Sequence, residues 1–258
     1  MQILIPMAGS GQRFRDAGYT LPKPMLEVDG VPMIVRVVED LPAASHIVFV
    51  VNGEHVRDFQ IDQQLREYFP SARIVTAPGL TQGQACSVRL GIDTLDPADS
   101  VLVAACDNTH VFDSKAFGRM ASDPANDAII WTYRGEPRVL VNPNWYGWVS
   151  ADADGRVQRV SVKRPISDAP LNDHVVTGTF WFRSADLLKN SIDLLVKSNI
   201  RINNEFYLDS VPSLLIEQGR GVKVFEIEKY IGWGTPADYV DYHRWSEYVQ
   251  RRIVHSAA

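Results

Sequence analysis

The chain has 258 residues, 45% of them hydrophobic, and a formal net charge of −5. That length and apolar content suffice for a full-sized buried core without a disulfide staple, and the charge excludes a general attraction to nucleic acid or anionic lipid. Any polyphosphate ligand must be held by a local cluster of cations and backbone amides.

Short apolar runs at Gln2–Met7, His46–Val51, Arg73–Ala77 and Ser100–Ala105 predict strands, and they alternate with helix-period stretches at Met33–Leu41, His55–Phe69 and Gln84–Leu95. This βαβ pattern predicts an α/β fold with a predominantly parallel central sheet and helices on both faces. The opening Ile3-Leu4-Ile5 breaks at Pro6 and Gly9, with neither a basic leader nor an apolar stretch of membrane-spanning length, so the chain is read as soluble and cytoplasmic. Cys86 and Cys106 lie inside apolar runs and read as small core residues in a reduced compartment.

After Asp127–Tyr133 the texture changes. Strand-like pieces follow at Tyr146–Ala151, Arg156–Val162 and Val175–Phe182, with an Asp154-Gly155 turn between the first two. Helices are predicted at Ser184–Val196, Asn204–Gln218 and Pro236–Arg251, with a strand at Val222–Ile227 and a tail that frays from Val254. No repeat or linker divides the chain, which is read as one domain over residues 1–258. Residues 1–133 form its regular α/β part and 134–258 its smaller mixed β part.

The first strand runs into Ala8-Gly9-Ser10-Gly11-Gln12-Arg13-Phe14, and the loop continues to Pro22-Lys23-Pro24. Two close glycines let backbone N–H groups face an anion. Arg13 adds a planar fork for phosphate oxygens, and Lys23 a compact charge presented between two stiffening prolines. The pattern is neither a P-loop, because Gly-Lys-Ser/Thr is missing, nor the dinucleotide fingerprint, because Phe14 stands at the third glycine.

Pro6-Met7-Ala8-Gly9-Ser10-Gly11-Gln12-Arg13-Phe14 followed by Pro22-Lys23-Pro24-Met25 resembles the signature of the nucleotidyltransferase superfamily of NDP-sugar pyrophosphorylase type. Its members include sugar-1-phosphate nucleotidyltransferases and the cytidylyltransferases of choline phosphate and related compounds. The resemblance continues, in the family's order, through Thr81-Gln82-Gly83-Gln84-Ala85, Cys106-Asp107-Asn108, Lys163-Arg164-Pro165, Asn204-Glu205-Phe206-Tyr207-Leu208 and Trp233-Gly234-Thr235-Pro236. It implies a Rossmann-like enzyme that moves an NMP from an NTP, CTP or a sugar-activating one, to a phosphorylated small molecule and releases pyrophosphate. The product would be an activated precursor for surface polysaccharide or similar biosynthesis. It further implies Mg²⁺, or Mn²⁺, as cofactor, no nucleic-acid or membrane partner, and room for a homo-oligomer.

By the same resemblance Met7, Ala8, Gly9, Ser10 and Gly11 meet the nucleotide's phosphates, with Arg13 and Lys23 as catalytic cations. Asp107 follows an apolar strand, at the edge where open α/β sheets place ligands, and the resemblance makes it the metal ligand. Gln82 and Gly83 would meet base and ribose, although Thr81 could equally cap a helix there. Lys163 and Arg164 stand where relatives carry Glu-Lys-Pro; register points to Arg164 as the acceptor clamp and residue type to Lys163. Glu205 reads as an acceptor contact or as a first-turn acid of the predicted helix. Gly178, also on the acceptor side, reads as a close approach or a bulge. Gly232 replaces an aspartate that many relatives carry, and Asp238 is a poor substitute. His110 and His174 are assigned no role. A glycosyltransferase and a non-catalytic regulatory homologue are the competing readings: Arg13 and Lys23, which suit a triphosphate better than a finished sugar donor, count against the first, and against the second, which Gly232 favours slightly, stands the retention of Arg13, Lys23 and Asp107.

Overall fold

The computed structural model describes residues 1–256, with side chains to 253. The first half contains β1 (Gln2–Met7), α1 (Gln12–Asp16), β2 (Glu27–Val28), β3 (Val31–Pro32), α2 (Met33–Glu39), β4 (His46–Asn52), α3 (Gly53–Phe59), α4 (Ile61–Tyr68), β5 (Arg73–Ala77), α5 (Gln84–Ile92), β6 (Val101–Val103), β7 (Asn108–Val111), α6 (Ser114–Ser122) and β8 (Ala128–Tyr133). The second contains β9 (Gly147–Ala151), β10 (Val157–Val162), β11 (His174–Phe182), α7 (Ala185–Lys197), α8 (Val211–Glu217), β12 (Val222–Glu226), β13 (Lys229–Gly232) and α9 (Pro236–Ser256).

A nine-stranded sheet runs β10-β9-β11-β6-β1-β4-β5, with β8 and β12 joined to it through β11. The β6-β1-β4-β5 portion is parallel, as the alternating pattern predicts, and β11 runs antiparallel to β6, β8 and β9. Along β1, Ile3, Ile5 and Met7 enter one core while Leu4 enters the other. Apolar residues running unbroken from Ile3 to Met7 are what a strand covered on both faces requires. In one core Trp131 packs against Phe112, Phe117 and Phe225 with ring centroids 4.6, 4.9 and 5.1 Å away. Among the described residues no helix is long and apolar enough to cross a membrane.

Several boundaries differ from expectation for identifiable reasons. The helix predicted over His55–Phe69 breaks at Gln60, whose φ of 53° is left-handed, so α3 and α4 are separate. The helix predicted from Asn204 cannot begin there, because Asn203 and Asn204 have φ of 48° and 69°. A 3-10 turn over Leu208–Ser210 leads instead into α8, which leaves Glu205 outside any helix. Helix α6 was not anticipated; the Asp113 carboxylate caps it by accepting from the Lys115 and Ala116 amides. Strands β7 and β13 were also missed, and they pair as a separate two-stranded antiparallel sheet with Asn108 opposite Gly232. The tail expected to fray from Val254 instead continues α9 to Ser256, and only residues 257–258 lie outside the described backbone.

Candidate active site

The glycine loop leaves the C-terminal end of β1. Gly11, with φ 64°, opens the short helix α1, whose Phe14 anchors it in the core at 1% exposure. Asn52, buried at the end of β4, braces the loop from beneath: its Nδ2 donates to the Ala8 carbonyl at 3.3 Å, and its Oδ1 accepts from the Glu54 amide at 2.9 Å. One side chain thus holds the loop and caps α3.

Two cavities open around this loop and meet at one wall. The smaller, about 470 Å³, is lined by the run Met7, Ala8, Gly9, Ser10 and Gly11 together with Lys23, Gly83 and Glu205. The larger, about 710 Å³, is lined by Arg13, Lys163, Gly178, Tyr207 and Asp209 among others. Gln84, Ala105 and Asp107 belong to both.

At that wall the Lys23 ammonium donates to Asp107 Oδ2 at 2.6 Å, with the two side chains 18% and 22% exposed. Burial pulls the Lys23 pKa down, but the Asp107 carboxylate outweighs it and the net shift is upward. For Asp107 burial pushes upward, and the charge and hydrogen bond of Lys23, helped by Asn108, carry the net shift below the usual value. Both groups are therefore charged at neutral pH. Asn108 Nδ2 donates to Asp107 Oδ1 at 3.2 Å and to the Thr177 carbonyl at 3.1 Å. The backbone of Asp107 is tied to β13 through the Trp233 amide, 2.8 Å from its carbonyl oxygen.

Among the described residues no group of three or more His, Cys, Asp or Glu side chains could hold a metal ion by itself. Gly232 faces Asn108 across the small sheet, and a Cβ there would stand 2.6 Å from the Tyr230 ring. That ring is stacked on Tyr133 at 4.5 Å, so the place of the relatives' aspartate is crowded by an aromatic pair. Asp238 is paired with Arg138 at 2.8 Å and accepts from the Thr235 hydroxyl at 2.7 Å.

Of the two candidate cations, Lys163 lines the larger cavity, and Arg164 is exposed and lines neither. Motif register points to Arg164, but β10 ends at Val162 and Lys163 turns off the strand with a left-handed φ of 58°. The Lys163 ammonium donates to the Trp145 carbonyl and lies 5.4 Å above the Tyr207 ring. Desolvation lowers its pKa, and Asp209 offsets part of that. Arg13 also opens on the larger cavity, 5.0 Å above the Trp145 ring.

Gly178 sits at an irregularity of its strand and against Ala105. The β11–β8 register shifts between Val176 and Phe180, and a Cβ at 178 would come within 3.1 Å of the Ala105 Cβ. Gly83 is required by a neighbouring backbone: its φ is 128°, and a Cβ would lie 2.5 Å from the Phe206 carbonyl oxygen. Phe206 is hydrogen-bonded across this contact, from its amide to the Gln82 carbonyl at 2.9 Å and from the Ala85 amide to its own carbonyl at 3.0 Å. Gln82 lines neither cavity and accepts from the Arg201 guanidinium. Thr81 does not cap α5; its hydroxyl donates to the Gly83 carbonyl at 2.9 Å.

Glu205 lines the smaller cavity, not the larger. Asp209, which the motifs did not single out, lines the larger. His110 is buried, with no hydrogen-bond partner at either ring nitrogen among the described residues, and burial pushes its pKa down to about 3. Burial pushes the Cys106 thiol up to about 11, leaving it a poor nucleophile.

Residues 3–177 match the MobA-like NTP transferase domain. This chain belongs to that family. It is also 23% identical over 232 residues to the bifunctional protein GlmU of Staphylococcus carnosus (strain TM300), a match covering 86% of this chain and 46% of that protein. The chain therefore spans about half the length of the curated relatives it matches. Among solved structures, the nucleoside-diphosphate-sugar pyrophosphorylase of Vibrio cholerae RC9 superposes with a TM-score of 0.76 at 23% identity, over 94% of this chain and 99% of that one. The inositol-1-phosphate CTP transferase of T. maritima superposes with a TM-score of 0.70 at 18% identity, over 92% and 90%. These likenesses bear out the Rossmann-like α/β fold and the resemblance carried by the loop motifs.

Proposed function

We propose that the chain transfers a nucleoside monophosphate from an NTP to a phosphorylated small molecule, with release of pyrophosphate. The observation that carries this reading is the meeting of two cavities at Asp107 and Gln84, one edged by the glycine loop and Lys23, the other by Lys163. Residues 1–133 would mainly hold the nucleotide and 134–258 mainly the acceptor. A divalent cation, Mg²⁺ or Mn²⁺, fits as one that arrives with the nucleotide, because Asp107 offers a hard carboxylate oxygen and such ions take one or two carboxylates with phosphate and water. When bound, it neutralises charge on the phosphate oxygens.

An acceptor phosphate oxygen forms the new bond to the α-phosphorus, and the bond from that phosphorus to the β-bridging oxygen breaks. The nucleophile is already anionic at neutral pH, so no side chain need act as a general base. The chain contributes alignment and charge. The Gly9–Gly11 amides steady the departing pyrophosphate, Lys23 faces the α-phosphate, and Lys163 holds the acceptor; Arg13, which opens on the larger cavity over Trp145, would have to swing off that ring to join the amides on the pyrophosphate. Pyrophosphate release from the four common NTPs, each paired with a panel of phosphorylated acceptors, tests the proposal; no release in any combination would refute it.

A further inference from the structure

The larger cavity holds a carboxylate that the proposed transfer does not use. Asp209 sits in the 3-10 turn Leu208–Ser210, and its Oδ2 occupies the space that Gly147 leaves by having no side chain: a Cβ at position 147 would collide with it. Gly147 begins β9 and pairs with Val162 at the end of β10, the residue before Lys163. Asp209 and Lys163 are thus brought to one end of the cavity by different elements. Burial raises the Asp209 pKa, and the Lys163 charge and a hydrogen bond from Asp209's own amide offset part of that. Among the described residues it has no salt-bridge partner, so the cavity still offers an ammonium group a carboxylate without a bound counter-ion.

The wall around it is aromatic. Trp145, Tyr146, Tyr207 and Tyr230 line the same cavity, and two of these rings already carry cations of the chain, Arg13 over Trp145 and Lys163 over Tyr207. Aromatic faces attract cations, most strongly quaternary and other ammonium groups away from water.

We propose that Asp209 and this aromatic wall receive the ammonium group of a zwitterionic acceptor, an amine-bearing phosphate or phosphonate whose anion rests against Lys163. The inference rests on the nucleotidyl-transfer reading and narrows its acceptor class. The opposed charges of Lys163 and Asp209 complement such a molecule end to end. A polyol phosphate can donate a hydroxyl to Asp209 but brings no cation to the negative ring faces. The amine takes no part in bond making: the acceptor's anionic oxygen attacks, pyrophosphate leaves, and the nitrogen keeps its proton or methyl groups.

The test compares acceptors that share an anion and differ in the cation: phosphocholine and phosphoethanolamine against propyl phosphate, and 2-aminoethylphosphonate against propylphosphonate, with glucose 1-phosphate as the polyol. Pyrophosphate release is followed with each NTP. The expected result is a kcat/KM about tenfold or more higher for an amine-bearing acceptor than for its amine-free analogue. In Asp209→Asn that ratio should fall towards one. A wild-type preference for an amine-free acceptor, or a ratio unmoved in the variant, overturns the proposal. The wild-type comparison decides alone if the variant does not fold. Turnover of glucose 1-phosphate without the amine-bearing acceptors refutes this inference and leaves nucleotidyl transfer standing; no release with any acceptor refutes both.

Discussion

Lys23 Nζ and Asp107 Oδ2 lie 2.6 Å apart at the wall common to the two cavities. The Lys23 ammonium keeps two further N–H donors, so it can hold Asp107 and face a phosphate oxygen at the same time. Because both side chains are partly exposed, breaking the pair by mutation costs less stability than breaking a fully buried one. Lys23→Ala should lower kcat by about a hundred- to a thousand-fold, the usual loss for a preorganised electrostatic contact, while calorimetry shows a much smaller change in NTP affinity. Arginine should rescue poorly, since its planar fork differs in reach from an ammonium held between Pro22 and Pro24. A collapse of NTP affinity with kcat unchanged would make Lys23 a binding residue only.

Asp107→Ala should nearly abolish turnover and yet fold. The lost pair is worth about 1 kcal/mol at this exposure, or roughly 2–4 °C in Tm for a chain of this size. Thermal denaturation followed alongside a turnover assay checks both halves, and wild-type rates in Mg²⁺ would remove Asp107 from the mechanism.

Chelation should stop turnover and leave Tm where it was, because no metal cluster holds the described residues together and the ion enters with the nucleotide. Full activity in excess EDTA is the contrary outcome.

Lys163→Ala should raise the acceptor KM by about tenfold or more, whereas Arg164→Ala, at an exposed position, should change little. The pH profile carries a further signature. Desolvation lowers the Lys163 pKa, so its ammonium discharges at a lower pH than an ordinary lysine, and kcat/KM for the acceptor should fall on an alkaline limb below the usual lysine range. Lys163→Arg should push that limb upward, since arginine keeps its charge. A limb that stays in place would assign it to another group.

Gly83→Ala places a methyl group against the Phe206 backbone and an L-residue at a φ of 128°. Overpacking alone typically costs about 1–3 kcal/mol, so a lower Tm is expected, together with altered kinetics for nucleotide and acceptor. Unchanged behaviour would mean that the loop and the Phe206 segment move apart freely.

What the sequence made legible was local. The apolar runs of β1 and β4 stand out because each is bounded and buried on both faces, and the Gly9–Gly11 loop with Lys23 is nearly contiguous. Gln60 breaks a helix without a glycine or proline to announce it. Asn203-Asn204 did carry a signal, since asparagine is among the residues that tolerate a left-handed backbone, and it marks where the predicted helix fails. Asn52 and Asp209 were hidden for another reason. Each acts through a partner far along the chain, Ala8 in one case and Gly147 in the other, and no periodicity encodes that proximity. The short strands β7 and β13 likewise exist through each other, and they buttress Asp107 from behind.

Phe206 is hydrogen-bonded to the Gln82–Ala85 loop, and the five residues Glu205–Asp209 contribute a wall to each cavity. A ligand that stiffens the loop from one side therefore stiffens Tyr207 and Asp209 on the other. Linkage makes such an effect reciprocal: whatever factor a bound NTP adds to acceptor affinity, the acceptor adds to NTP affinity. The two substrates proposed for this chain are expected to bind as mutual effectors, through a span of five residues.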